Sequence, residues 1–209
     1  MSVRGTVRVT CSGCGAEHDV LLVQSINTRN APDDKRKLLA GELNVLACDC
    51  GKRTQLATTV VFHDPDAELY AQVCPGDDDE VARAIELMRA VVATGTRRIV
   101  PSLNALVEKV KLVDAGLDDW AIEMTKVVLL ATLREPDLDR VLLFDAVDRE
   151  AQIIRWLRFD ADHFESVASP LAAYGKLAER TQGRPDGDEL RIDRAWAVEA
   201  VRRMIADAS

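Results

Sequence analysis

Four cysteines in two close pairs carry the strongest chemical signal in this sequence: Cys11 and Cys14, then Cys48 and Cys50. Each pair is followed directly by a glycine, Gly15 or Gly51. Zinc takes four ligands in a tetrahedron, and thiolates from two separate turns supply them. The expectation is one structural zinc ion held by Cys11, Cys14, Cys48 and Cys50, although the second pair is one residue short of the usual spacing. Rival readings are weaker. A redox dithiol at Cys11 and Cys14 wants a lowered thiol pKa, often at a helix N-terminus, whereas strands flank this pair. A catalytic zinc keeps one ligand position open, which four thiolates close. Plain core cysteines would not come as two glycine-followed pairs. Iron is the alternative metal, because thiolates also suit it. Cys74 stands alone and reads as a small buried apolar residue, with a substitute-ligand role as its second reading.

Other candidate chemistry is sparser. His63 and Asp64 follow a strand and could pair, but a His-Asp before Pro65 reads first as a turn in which Asp64 accepts backbone N–H groups. His18 sits close enough in sequence to hydrogen-bond near the first pair or to replace a ligand. His163 reads as a surface residue ahead of a helix. Asp119, Glu123 and Lys126 share one helix face, where like charges at i,i+4 are mildly unfavourable and Lys126 relieves Glu123 at i,i+3. The plain reading is a solvated face, and the sharper one is a polar patch that meets a partner or the other domain. Trp120, Trp156 and Trp196 read as core. The sequence contains no Gly-x-Ser-x-Gly elbow, P-loop or Gly-x-Gly-x-x-Gly.

The elements that must position these residues follow from periodicity. Val3, Val7, Val9 and Cys11 alternate with Arg4, Thr6, Arg8 and Thr10, the pattern of a half-buried strand. Glu17 to Ile26 reads as the second strand, so Cys11 to Gly15 becomes a hairpin knuckle whose glycine permits the tight backbone needed to aim amides at sulfur. Pro32 to Ala40 has a first-turn proline, Asp33 and Asp34 at the positive end of the helix dipole, and Gly41 as a stop. Leu43 to Ala47, Thr54 to Phe62 and Leu69 to Val73 read as further strands. From Asp77 the period becomes helical: Val81, Ala84, Ile85, Met88, Val91 and Val92 form one stripe, and Leu103, Leu106, Val107, Val110 and Val113 another. Asp118 reads as an N-cap with Leu117 and Ile122 as a hydrophobic staple. Arg140 to Phe144 and Gln152 to Leu157 suggest a hairpin, Ser169-Pro170 a helix start, Gln182 to Asp188 a loop, and Asp193 the cap of a last helix.

Residues 9–73 resemble the CpXC domain, a bacterial and archaeal family named for its cysteine pairs. The likeness is carried by Cys11, Cys14 and Gly15, by Ser25-Ile26-Asn27, by Leu38 to Asn44 running into Cys48, Cys50 and Gly51, and by His63-Asp64-Pro65. Leu106 to Val110, Gly116 to Asp119 with Ile122-Glu123, and Ile192-Asp193 extend it loosely into the tail of longer members. Cys48-Asp49-Cys50 is shorter than the pair the family's name describes. The resemblance implies a domain, not an activity.

The totals narrow the choice of function. The 209 residues suffice for one domain or two small ones, and aromatic residues are only 4%, so the core must be built from Leu, Val, Ile and Ala. No apolar run reaches the roughly 18 residues of a membrane helix, and the first residues lack the apolar stretch of a secretion signal. The expected compartment is the cytoplasm, where reducing conditions favour metal-bound thiolates over disulfides. Residues 1–76 hold 8 Lys+Arg against 9 Asp+Glu, and residues 77–209 hold 19 against 26, giving −1 and −7 of the chain's −8. A chain that grips a phosphate backbone usually carries a basic excess. The sequence therefore predicts an α+β protein. A zinc-ribbon-like antiparallel β region with one inserted helix spans 1–76, and a mostly helical region with a short hairpin spans 77–209. The leading function is a non-enzymatic module that binds a protein partner. The alternatives are nucleic-acid binding through Arg4, Arg8, Lys35, Arg36, Lys52 and Arg53, and an enzyme with a site between the regions that uses His63, Asp64 or Glu123.

Overall fold

The computed structural model describes residues 3–91, 94–133, 137–160, 163–180 and 184–207, together with the backbone but not the side chains of Asp160 and His163. Its strands and helices make an α+β protein. The chain forms two compact units, Met1–Val107 and Glu108–Ser209, and the boundary falls inside a helix.

In the first unit, β1 (Arg4–Thr10) and β2 (Glu17–Val23) form an antiparallel hairpin in which Val9 faces His18. The alternation read from the sequence holds for Val7 and Val9, which are half-buried, with Arg4, Thr6 and Arg8 exposed, but Val3 lies ahead of the strand and is exposed. The single strand expected over Glu17 to Ile26 is two. At Gln24 the chain leaves the hairpin, and β3 (Ser25–Asn27) joins a different sheet. Helix α1 (Pro32–Leu39) follows, ended by Gly41 at φ 69°. A second small hairpin comes from β4 (Val45–Ala47) and β5 (Arg53–Gln55). The strand expected over Thr54 to Phe62 also divides, into β5 and β6 (Val60–Asp64).

β6, β7 (Leu69–Val73), α2 (Asp78–Arg89) and β8 (Thr96–Val100) complete the first unit's larger sheet, in the order β3-β6-β7-β8. The expectation of a purely antiparallel sheet is corrected. β3 pairs with β6 and β7 with β8 in parallel, and only β6 with β7 is antiparallel. Parallel neighbours need crossover connections, and α2 is the crossover from β7 to β8. Asp77 caps α2 by accepting from the Glu80 N–H at 3.0 Å. Val92, assigned to this helix stripe from the sequence, lies outside the described residues. β8 was not expected, because its arginines mask a strand. Arg97 instead reaches the Met88 carbonyl at the end of α2, and Arg98 is buried. Because β8 pairs with β7, residues 77–107 belong with the first unit. The compact units therefore divide at Val107/Glu108 rather than at the expected 76/77 boundary. The main core row of this unit runs across the sheet at Ile26, Phe62 and Ala71, which are register partners and fully buried.

α3 (Leu103–Asp114) carries the chain into the second unit, ending at Gly116 with φ 66°. α4 (Asp119–Ala131) starts after Asp118, but the expected side-chain cap is not made. The Asp118 N–H instead donates to the Tyr174 hydroxyl at 2.9 Å. The expected hairpin is β9 (Val141–Asp148) with β10 (Ile153–Asp160), and β11 (His163–Pro170) adds an unexpected third strand in the order β11-β10-β9. This second unit is therefore mixed rather than mostly helical. α5 (Leu171–Ala178) begins after Pro170, so Ser169 closes β11 and accepts from the Trp156 indole N–H at 2.9 Å. Gln182 and Gly183 of the expected loop lie outside the described residues. Asp193 caps α6 (Arg194–Ala206) through the Trp196 N–H at 3.0 Å. One hydrophobic core holds Leu112, Leu117, Ile122, Met124, Phe144, Trp156 and Ala200 among others. Trp120 and Trp156 are buried as expected, and Trp196 packs at the edge.

Candidate metal centre

The turns after β1 and β4 are built alike. After β1, the Gly15 N–H donates to the Cys11 carbonyl at 2.9 Å, and Gly15 has φ 77°. After β4, the Gly51 N–H donates to the Cys48 carbonyl at 2.9 Å, and Gly51 has φ 86°. A side chain is strained at such angles, which is why glycine ends each pair. The first cysteine of each pair is buried and the second exposed. Cys11 and Cys48 pack with Leu46 in a small cluster edged by Val9, Val20 and Leu56. Gly13 lets the first turn press against the second, since a Cβ there would meet the Lys52 side chain at 3.1 Å and the Cys50 sulfur at 3.4 Å.

These turns bring all four Sγ atoms within 4.8 Å of one another. Cys11 Sγ lies 3.7 Å from Cys50 Sγ, and Cys14 Sγ 3.5 Å from Cys48 Sγ, so each short approach joins one turn to the other. Four sulfurs about 2.3 Å from a central zinc stand roughly 3.8 Å apart in a tetrahedron, whereas a disulfide needs about 2.05 Å. The spacing fits metal-bound thiolates. The Gly13 N–H donates to Cys11 Sγ at 3.4 Å. Amides of Gly13 and Cys14 at this sulfur pull the Cys11 thiol down to about 6. At Cys48 the Cys50 amide also pulls down, but burial and the crowding thiols outweigh it and push the value up to about 12. Thiolate charges this close together oppose one another, an opposition that a bound cation relieves.

The remaining candidates are placed elsewhere. Cys74 is buried and outside the four-sulfur group, with its N–H donating to the Val100 carbonyl. His18 also lies outside that group, and its Nε2 is buried without a hydrogen-bond partner. His163 opens a strand rather than preceding a helix, and its side chain lies outside the described residues. His63 and Asp64 are neighbours on β6 and so point to opposite faces. His63 meets Asn27 at 3.4 Å and Tyr70 with ring centroids 5.5 Å apart. Asp64 accepts from Thr28 at 3.0 Å, from Lys35 at 2.9 Å and from the Ala67 N–H at 3.3 Å. Burial acts to raise the Asp64 carboxyl, but Lys35 and Thr28 hold it below its usual 3.8. The turn reading of Asp64 was right as far as the Ala67 bond, and its ion pair with Lys35 was missed.

The solvated face expected at Asp119, Glu123 and Lys126 is overturned, because all three are buried. Lys126 Nζ lies 2.7 Å from Glu108 and 2.9 Å from Glu123. Lys109 Nζ lies 2.9 Å from Asp119 and 3.5 Å from Glu123, and donates to the Ile192 carbonyl at 3.0 Å. The second Glu108 oxygen accepts from the Phe144 N–H. Burial opposes both charges, yet the lysines hold Glu123 below its usual value and the two glutamates hold Lys126 above its own. Sequence reading missed Glu108 and Lys109. The available signal was that α4 is apolar on nearly every side, at Trp120, Ala121, Ile122, Met124 and Val127, as buried helices are.

The class defined by this geometry is an α+β protein with a four-thiol centre between two β-hairpin turns. The model of the family described as CpXC protein matches residues 9–126, more than half of the chain, and the protein belongs to that family. No curated protein and no solved structure matches the chain. The match runs past the thiol turns to Lys126 and so takes in α3 and the part of α4 that carries the buried charges.

Proposed function

We propose that this chain is a non-enzymatic binding protein in which one zinc ion, held by Cys11, Cys14, Cys48 and Cys50, fixes the two N-terminal hairpins. The observation that carries the metal reading is the convergence of four sulfurs from two separate turns, all within 4.8 Å of one another. Bound there, the ion supplies a crosslink and no open coordination position, because four thiolates saturate it. Anaerobically purified protein is expected to hold one zinc per chain, and its cobalt-substituted form to show the absorption of a tetrahedral thiolate site. Protein that stays metal-free in excess zinc would end this reading.

The protein-contact part is supported by the outer face of the three-stranded sheet. Val141, Phe159 and Phe164 are register neighbours across β9, β10 and β11, and are 45%, 40% and 70% exposed. β10 carries Ile153, Leu157 and Phe159 on this face, with Arg155 among them, and Ile154 and Trp156 on the other, with Arg158 beside them, so apolar side chains reach both faces of the strand. Crosslinking in cells should give a defined adduct with the native chain that is lost with Phe159→Ser/Phe164→Ser. An unchanged adduct pattern would remove this surface from the proposal. The nucleic-acid reading has less support. Arg4 pairs with Asp34, Arg8 with Asp19, Lys35 with Asp64, and Arg36 with Asp33, so most of the cations it needs are already matched. The enzyme reading has less support for the same reason at two of its three residues: Asp64 and Glu123 are each held in ion pairs.

A further inference from the structure

The first unit contains a cleft of about 520 Å³ between α2 and the end of β7, within the range of small-molecule sites. β7, α2 and β8 make a parallel strand–helix–strand unit, and the cleft opens at the carboxyl end of β7, where such units commonly receive ligands. One stripe of α2 lines it: Glu80, then Arg83 with Ala84, then Leu87. Residues at this spacing share a helix face. The cleft wall therefore presents an acid, a base and an apolar group in order, spread over about 10 Å. Gln72 and Thr59 add an amide and a hydroxyl to the lining, and Cys74 and Ala84 are its small buried members.

Glu80, Arg83 and Leu87 are exposed on this stripe, and its two charges stand apart. Glu86 and Arg89, Glu123 and Lys126, and Glu199 and Arg202 stand at the same i,i+3 spacing and close into ion pairs at 2.8, 2.9 and 2.6 Å. Glu80 and Arg83 have the same spacing but do not pair, and neither has an ion pair among the described residues. The Glu80 carboxylate instead lies over Gly76, where any Cβ would overlap it. Leu87 is 69% exposed in the cleft although Met88, one position on, is buried. Asp77, Asp78 and Asp79 precede the stripe, so a phosphate or nucleotide would meet repulsion there. The unpaired charges at successive positions instead match a ligand that carries both signs and an apolar side.

We infer that this cleft binds a small apolar zwitterion, an aliphatic α-amino acid or its dipeptide. The ammonium lies at Glu80, the carboxylate at Arg83 and Gln72, and the side chain toward Leu87. The site is independent of the thiol centre. Metal-loaded full-length protein should be titrated with L-leucine and L-leucyl-L-leucine while amide resonances are followed by NMR. N-acetyl-leucine and leucinamide, each lacking one charge, serve as controls. Saturable shifts are expected at residues 57–59, 72–76 and 80–87. Each blocked analogue should bind at least tenfold more weakly, and Glu80→Gln and Arg83→Ala should each weaken L-leucine at least tenfold while leaving the rest of the spectrum unchanged. No saturable shift, shifts confined to other residues, or equal binding of a blocked analogue would overturn the inference.

Discussion

The thiol hairpins and the unit from Glu108 onward solve the same problem with different means. Around Cys11 and Cys48 the buried apolar cluster has Leu46 as its other fully buried member, and β4 and β5 are three residues each. So small a cluster cannot offset the entropy of ordering its turns. The second unit surrounds Trp156, Phe144 and Ile122 with many buried neighbours, enough to enclose the five side chains of an ion-pair network. On the proposed reading, the thiol hairpins draw their order from a bound ion. The second unit has a core large enough to carry buried charge.

The sharpest way to break this comparison is to remove the metal. Zinc in small thiolate sites binds with an apparent free energy on the order of 10 kcal/mol or more, comparable to the whole stability of a domain. Chelation, or Cys14→Ser with Cys50→Ser, is expected to abolish hydrogen-exchange protection in β1, β2, β4 and β5 while α4 and β10 keep theirs. Equal loss in both regions would mean that they do not draw on separate sources of stability.

Next in size is Lys126→Met. It leaves Glu108 and Glu123 buried with one cation fewer, and breaking such a pair typically costs about 3–5 kcal/mol. Denaturant unfolding of the second unit reads this directly, and a midpoint unchanged from the native chain would show the network to be dispensable. The charges also set a pH window. Glu123 is held below its ordinary 4.5, so its contribution is full above that value and fades as pH falls through the folded value. Lys126 is held above its ordinary 10.5, so its contribution is full below that value and fades as pH rises through the folded value. Stability from these two groups should be flat between 4.5 and 10.5 and decline on both sides.

Asn44 tests the join between the hairpins. It is buried, has φ 55°, and its side-chain amide accepts from the Val23 N–H at 2.8 Å and donates to the Val23 carbonyl at 2.9 Å. The side chain thus stands in for a strand neighbour and ties the segment before β4 to the end of β2. Asn44→Ala orphans both Val23 groups, for a loss of roughly 2–3 kcal/mol, and should lower the thermal midpoint without changing the zinc content.

What the sequence made legible was local. The cysteine pairs, Gly15, Gly51, Asp77 and Asp193 act within a turn of themselves, so spacing alone exposes them. What it hid was relational. Ser25-Ile26-Asn27 gives no sign that it leaves one hairpin to run parallel to β6, because a parallel partner lies far along the chain. Thr96 to Val100 gives no strand signal because Arg97 and Arg98 break its apolar run. His163 to Pro170 reads as pre-helix because Ser169-Pro170 imitates a cap. The charges of α4 looked solvated because no residue of that helix reveals that Glu108 and Lys109 wait on α3.

The smallest expected effect divides the contribution of the turns from that of the metal. Gly15 and Gly51 adopt φ 77° and 86° with open space where a Cβ would point. Alanine there meets no neighbour, so its cost is the backbone strain alone, about 1–2 kcal/mol at each site. If that strain is borne by the metal-bound state, Gly15→Ala should weaken zinc binding in competition with a chelator by roughly tenfold, since 1.4 kcal/mol is one decade. The second unit's unfolding should stay where it was. Gly13→Ala makes the opposite demand, because its backbone is unstrained but its Cβ meets Lys52 at 3.1 Å and the Cys50 sulfur at 3.4 Å. If both variants lower zinc affinity while far-ultraviolet dichroism stays native, the turns are holding sulfurs in position for the ion. If Gly15→Ala binds zinc as tightly as the native chain, the ion itself imposes the turn, and the glycines serve only the hairpin.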